Sequence, residues 1–179
     1  RAGVYSLVCV LMALPVLAGL AFAQDPCPSI DVFFSPKGGC TDAIIREINR
    51  AQKTILVQAY SFESVVIQNA LVDAHKRGVK VKVILDKGKA GRKSRDAESL
   101  VKDQVVVWID RACKKAHDKV MLIDGLIVVT GSFNFSASAE KSNAENVLII
   151  RDEKLSGKFL DNWEKHLKHS EKYVPKTSR

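Results

Sequence analysis

Apolar positions in this chain fall into two kinds of run. The stretches IDVFFSP (30–36), KTILVQAYSF (53–62), VKVKVILD (79–86) and QVVVWID (104–110) are short and rich in β-branched and aromatic residues, which predicts strands. TDAIIREINRA (41–51) sets Ile44, Ile45 and Ile48 at helical spacing behind Thr41 as N-cap, and VVIQNALVDAHKRG (65–78) closes on Lys76, Arg77 and Gly78. Both predict helices. A short helix over 96–102, a strand ENVLIIRD (145–152) and a helix LSGKFLDNWEKHLKHS (155–170) follow, the last with Phe159, Trp163 and Leu167 as its core face. The β-α-β-α-β order predicts an α/β fold, a mixed and mostly parallel sheet flanked by helices. No internal repeat is present.

The segment AHDKVMLIDGLIVVTGSFNF (116–135) departs from that order. Asp124-Gly125 between two apolar runs predicts a β-hairpin. With these two residues as the turn, Ile123 faces Leu126, Lys119 faces Thr130 and His117 faces Ser132, with Asn134 as a diagonal neighbour of His117. Alternation by two then gathers His117, Lys119, Thr130, Ser132 and Asn134 on one face near the open end. Asp124 lies at the turn, roughly 20–24 Å from His117 along the strand, too far to orient the imidazole. It reads as a turn residue.

Composition narrows the setting. The chain opens RAGVYSLVCVLMALPVLAGLAFAQD, one basic residue and then about twenty apolar or small ones ending Ala21-Phe22-Ala23. This predicts a signal peptide over 1–23, a periplasmic or secreted protein, and a single domain over 24–179 with no stable membrane insertion after cleavage; the alternative is a retained anchor. The net charge is +8 over 179 residues, which favours polyanions such as nucleic acid or anionic lipid. KGKAGRKSR (87–95) places Lys87, Lys89, Arg92, Lys93 and Arg95 after a strand's C-terminal end. This is where open α/β sheets build sites, and a mobile, phosphate-contacting loop is expected. In an oxidising compartment Cys27 and Cys40 are placed to pair, with Cys113 left as a small apolar filler. There is no CxxC or His/Cys spacing for structural zinc.

Imidazole serves as nucleophile, acid or base, Lys adds a compact positive charge, and Ser and Asn donate hydrogen bonds. Such a cradle suits a phosphoryl group. No carboxylate cluster with metal-ligand spacing is evident, so no metal and no cofactor are expected. His75 reads as a solvated helix residue. His166 and Lys168 form a second His-x-Lys without the downstream residues.

HDKVMLIDGLIVVTGSFN fits His-x-Lys-x4-Asp-x6-Gly-Ser-x-Asn at every fixed position and resembles the signature of the phospholipase D superfamily. GSFNF, NAEN and the chain's size are similar to the short bacterial Nuc-type endonucleases. The resemblance implies His117 as nucleophile, Lys119, Ser132 and Asn134 as phosphate ligands, Glu145 as the acid that hydrogen-bonds and orients His117, and a metal-independent reaction. Asp124 belongs to the motif on the same ground. The superfamily's larger members carry two copies of the motif in one chain. One imidazole cannot readily both attack phosphorus and protonate the opposite leaving oxygen, so a single copy implies a symmetric homodimer with one site across the axis, passing through a phosphohistidine. The expected substrate is nucleic acid, DNA and possibly RNA, cleaved with little sequence preference. A phospholipase D acting on a lipid headgroup is the alternative, though no amphipathic membrane-binding surface stands out. A non-enzymatic nucleic-acid binder would not require a nucleophile with its partners.

Overall fold

A computed structural model describes residues 27–88 and 95–175, Arg95 by its backbone alone. The segment read as a signal peptide, Lys89, Arg92 and Lys93 of the basic loop, and residues 176–179 lie outside the described residues.

Eight strands form one sheet, β1 (Ser29–Ser35), β2 (Thr54–Ala59), β3 (Lys80–Asp86), β4 (Val106–Asp110), β5 (Lys119–Ile123), β6 (Ile127–Gly131), β7 (Glu145–Arg151) and β8 (Ser170–Lys172). Their spatial order is β1-β7-β6-β5-β2-β3-β4-β8. Helices α1 (Cys40–Arg50), α2 (Val65–Lys76), α3 (Arg95–Lys102), α4 (Ala137–Lys141) and α5 (Glu153–Lys168) complete the elements of the described residues. The α/β architecture is as expected, but among the described strands parallel pairing is confined to β2-β3-β4. The other strand pairs are antiparallel. The physical reason is connectivity: α2 and α3 provide the crossovers that parallel neighbours need, whereas β5, β6 and β7 follow a loop, a turn and a short helix, and β8 turns straight back from the end of α5.

Strand alternation divides the core into two layers. Val57, Met121, Ile123, Val129, Val147 and Ile149 meet residues of α1, α2 and α3. On the opposite face Val120, Leu122, Val128 and Ile150 meet α5 through Trp163, Leu155, Phe159 and Leu167. Trp163 is 2% exposed, and its indole N–H donates to the Val57 carbonyl at 3.1 Å. Apolar burial and a satisfied donor together seat α5 on the sheet.

Several local expectations change. Thr41 is not the cap of α1: that helix starts at Cys40, and its Gly39 and Thr41 N–H groups donate to the Glu140 carboxylate at 3.3 and 2.7 Å. A distant acid thus meets the positive helix end. Cys27 and Cys40 are unpaired, one exposed and the other buried. Burial, with Glu140 nearby, pushes the Cys40 thiol above its ordinary pKa, which suppresses thiolate chemistry. His75 is half-buried and its Nδ1 lacks a partner among the described residues. The chain past α5 adds a strand that the apolar pattern does not predict: β8 pairs with β4, and Tyr173 N–H donates to the Val107 carbonyl at 2.8 Å.

Candidate active site

The ends of β2 and β6 and the starts of β5 and β7 lie on one edge of the sheet, because Ala59 pairs with Lys119 and Gly131 with Val147. That edge carries the polar residues of the motif. His117 is exposed, two residues before β5, and Lys119 opens the strand with 7% exposure. Lys119 Nζ lies 3.0 Å from His117 Nδ1 and 2.5 Å from the His117 carbonyl oxygen. Tyr60, just past β2, packs its ring 4.4 Å from the imidazole and 5.3 Å from Lys119 Nζ. Its backbone N–H donates to the Asp118 carbonyl at 3.0 Å. The imidazole is therefore held between an aromatic face and a buried cation while remaining open to solvent. Burial pushes the Lys119 pKa down, and the charges of Asp118 and Glu145 oppose that shift.

The hairpin register differs from the expected one by a residue. Ile123 faces Ile127, Leu122 faces Val128 and Met121 faces Val129. Leu126 is extruded as a third turn residue: its N–H donates to the Ile123 carbonyl, and its own carbonyl accepts from Asp152 N–H. A bulge of this kind exchanges the faces of everything beyond it. Thr130 consequently shares the α5 side with Val128, opposite Lys119, and does not join the site by alternation.

Ser132 and Asn134 are placed by a different device. Gly131 ends β6 at φ 145, where a Cβ would sit 2.2 Å from the Asn146 carbonyl oxygen. Beyond it the chain follows β7: Ser132 Oγ accepts from Asn146 N–H at 3.1 Å, and Phe133 N–H donates to the Asn146 carbonyl at 3.3 Å. Phe133 and Phe135 are each 1% exposed. Phe135 stacks edge-on against Phe62 at 5.8 Å, and its carbonyl accepts from Glu63 and Ser64 N–H. These two rings anchor the segment at the same edge of the sheet as His117. No direct hydrogen bond joins Ser132 or Asn134 to His117 among the described residues. Asn134 Oδ1 is buried without a partner among them, so the amide is not consumed by internal bonding.

Glu145 starts β7 opposite Ser35. Its carboxylate accepts from Asn143 Nδ2 at 3.1 Å and acts on Lys119 through its charge. The expected hydrogen bond to His117 is not made: Lys119 occupies Nδ1. Asp124 stands at the far end of the hairpin with φ 55. Its carboxylate accepts from Gln52, Lys53 and Thr54 N–H at 2.8, 2.7 and 2.9 Å, so its contacts are with the α1–β2 junction. Of the basic loop, Lys87 is described: its Nζ donates to the Arg111 carbonyl at 3.0 Å, tying the segment that leads to His117. Sequence reasoning missed Tyr60, which has no motif signature and arrives through the pairing of β2 with β5.

A mixed sheet thus carries an exposed imidazole and a buried amine at the open end of a hairpin. The family model described as "Cardiolipin synthase, PLD-like domain" matches residues 44–168, and the chain belongs to the phospholipase D superfamily. A phospholipase D from Rickettsia felis is 42% identical over 134 residues, 75% of this chain and 67% of that protein. A mitochondrial cardiolipin hydrolase from Xenopus laevis is 30% identical over 138 residues, 77% of this chain and 62% of that protein. The chain thus spans about two thirds of the length of these curated relatives. Among solved structures, Nuc from Salmonella typhimurium, a phospholipase D family member, is similar with a TM-score of 0.77 and 37% identity, covering 82% of this chain and 98% of that one.

Proposed function

We propose that the protein is a metal-independent endonuclease that hydrolyses nucleic-acid phosphodiesters through His117, in a site shared by two copies of the chain. The observation that carries the chemistry is the exposed imidazole whose Nδ1 lies 3.0 Å from a buried ammonium. In the resting site Lys119 donates to Nδ1, so a neutral His117 holds its proton on Nε2. An arriving phosphate draws the Lys119 ammonium to its own oxygens. The imidazole then takes its proton on Nδ1, with Glu145 as the acceptor expected from the family, and offers the Nε2 lone pair. Attack forms the Nε2–P bond as the bond from phosphorus to the leaving oxygen breaks. The second copy's His117, protonated, gives its proton to that oxygen. Water then cleaves the phosphohistidine, losing a proton to the same imidazole. Lys119, Ser132 and Asn134 hold the equatorial oxygens throughout.

The second copy is supported by β1. Ile30, Val32 and Phe34 are 55%, 48% and 65% exposed at alternate positions on an edge strand, a surface that soluble proteins rarely leave bare. Phe34 pairs with Asn146 at the end of β7 that begins with Glu145, so a twofold contact along this edge strand reaches the same end of the sheet as the site. Nucleic acid as substrate is supported by the net charge of +8 and by the likeness to Nuc along 98% of that chain. A lipid headgroup is the second reading, carried by relatives named phospholipase D and cardiolipin hydrolase. No helix among the described residues is long and apolar enough to cross a membrane.

The deciding assay offers plasmid DNA, RNA, and vesicles of phosphatidylcholine or cardiolipin to the protein in EDTA. Nicking of DNA or RNA without a divalent ion, with the vesicles untouched, is the expected result. Headgroup release with intact nucleic acid replaces the first reading by the second.

A further inference from the structure

A second cluster of reactive side chains lies on the same sheet edge, at the other end of it. Asp110 closes β4 and is fully buried. Its Oδ2 lies 2.7 Å from His166 Nδ1 and 3.3 Å from His169 Nε2. Cys113, three residues past Asp110, completes a group of four donor atoms that all lie within 4.8 Å of one another. The two imidazoles stand edge to face with centroids 5.1 Å apart. Neither half announces itself in the sequence. Asp110-x2-Cys113 and His166-x2-His169 are far apart along the chain, and the antiparallel pairing of Asp110 with Ser170 brings them together.

We propose that these four residues form a structural zinc site. The donor set is two imidazole nitrogens, one thiolate and one carboxylate oxygen, a borderline-soft set suited to tetrahedral Zn2+. Bonds of about 2.0–2.3 Å set tetrahedral donor atoms roughly 3.3–3.7 Å apart, inside the envelope the cluster already occupies. Charge balances, since thiolate and carboxylate offset the dication beside a carboxylate that has no exposure to water. The carboxylate is also pre-aimed. Its Oδ1 accepts from Ala112 N–H at 3.0 Å and Cys113 N–H at 3.4 Å, leaving Oδ2 for the metal, the outer support that ligating groups ordinarily have. The exposed His169 side gives an entry path.

The site would act by holding the loop that carries His117. That loop leaves Asp110 and Cys113, and its far end is tied where Ala116 N–H donates to Asp86 Oδ2 at 2.7 Å. His117 follows directly. With strands roughly 4.8 Å apart, β4 lies about 14 Å across the sheet from β5, so the ion takes no part in the phosphoryl chemistry. It fixes the near end of the segment as Asp86 fixes the far end.

Cobalt titration of the full chain tests the site without reference to activity. One Co2+ per chain should bind, giving the visible absorption of a tetrahedral ion and a thiolate charge-transfer band, and Zn2+ should displace it. Cys113→Ser should abolish the charge-transfer band. It should also weaken binding by more than the roughly 10–100-fold that loss of an outer partner costs, whereas Cys27→Ser should leave both unchanged. His169→Ala, at the exposed ligand, provides a second variant, with far-UV circular dichroism reporting its fold. A folded wild-type chain without the tetrahedral spectrum overturns the proposal, as does a charge-transfer band that survives Cys113→Ser. Either result leaves Asp110 as a carboxylate compensated by the histidines alone.

Discussion

Lys119 is the residue on which position and chemistry meet most closely. Burial lowers its pKa, Asp118 and Glu145 restrain the shift, and the proposed reaction needs it protonated on the phosphate. Raising the pH removes that proton, so activity should fall on the alkaline side beginning below the ordinary lysine value of 10.5. Lys119→Gln should lower kcat by about 100–1000-fold, the usual cost of losing one transition-state donor, and should erase that alkaline limb. A pH–rate profile that keeps the limb in the variant assigns it to another group. Asp124 shows the opposite case, a motif residue that stabilises the fold. Partial burial tends to raise its pKa, but the Thr54, Gln52 and Lys53 N–H groups outweigh burial and hold it below 3.8. A depressed carboxylate pKa gives stability that is present above the unfolded value and is lost as pH falls through the folded one. Asp124→Ala should therefore cost about 2–3 kcal/mol near neutrality, read by urea denaturation, with the deficit vanishing in acid. Activity per folded molecule should change little.

At the scale of elements, β6 and the segment after it decide where the phosphate ligands stand. The extruded Leu126 moves Thr130 away from Lys119, and the turn at Gly131 then sends Ser132 along β7. Gly131→Ala meets two obstacles, a φ of 145 and a carbonyl oxygen 2.2 Å from the new Cβ. Relief requires the backbone of Ser132 or Asn146 to shift. The variant should lose several-fold or more in kcat/KM even where it remains folded, and its melting temperature should fall. Unchanged kinetics in a folded Gly131→Ala protein would mean that Ser132 does not hold substrate.

For the whole molecule the open question is how one copy of the motif performs a two-sided displacement. Phe34 projects from β1 with 65% exposure, one residue from Ser35, the partner of Glu145. A single charge there should separate the proposed dimer without disturbing the core. Phe34→Glu should run as a monomer by light scattering, keep its circular dichroism, and lose at least about 100-fold in activity. A monomer with full activity would show that each chain completes its own site. Mixing His117→Asn chains in excess with wild type makes the complementary measurement, with activity expected to fall further than dilution alone dictates.

Much of this was legible in the chain. Strands β1 to β7 and the larger helices follow from apolar periodicity, which is local, and each lies within a few residues of its expected place, whereas β8 has no apolar pattern to announce it. The hairpin and the pairing of His117 with Lys119 follow from Asp124-Gly125 and from a two-residue spacing near the start of a strand. Contacts between distant segments were not legible, because no local pattern encodes them. The turn gained Leu126 because Asp152 and the α1–β2 junction hold it, and those partners lie far away in the sequence. Glu140 caps α1, Tyr60 meets His117, and Asp110 and Cys113 meet His166 and His169 for the same reason: strand pairing brings together residues whose separation along the chain carries no signal. The sequence by itself determined which chemical groups the protein has and on which elements they ride. The tertiary structure decided which of them touch, through register, where one extruded residue is enough to change a side chain's face.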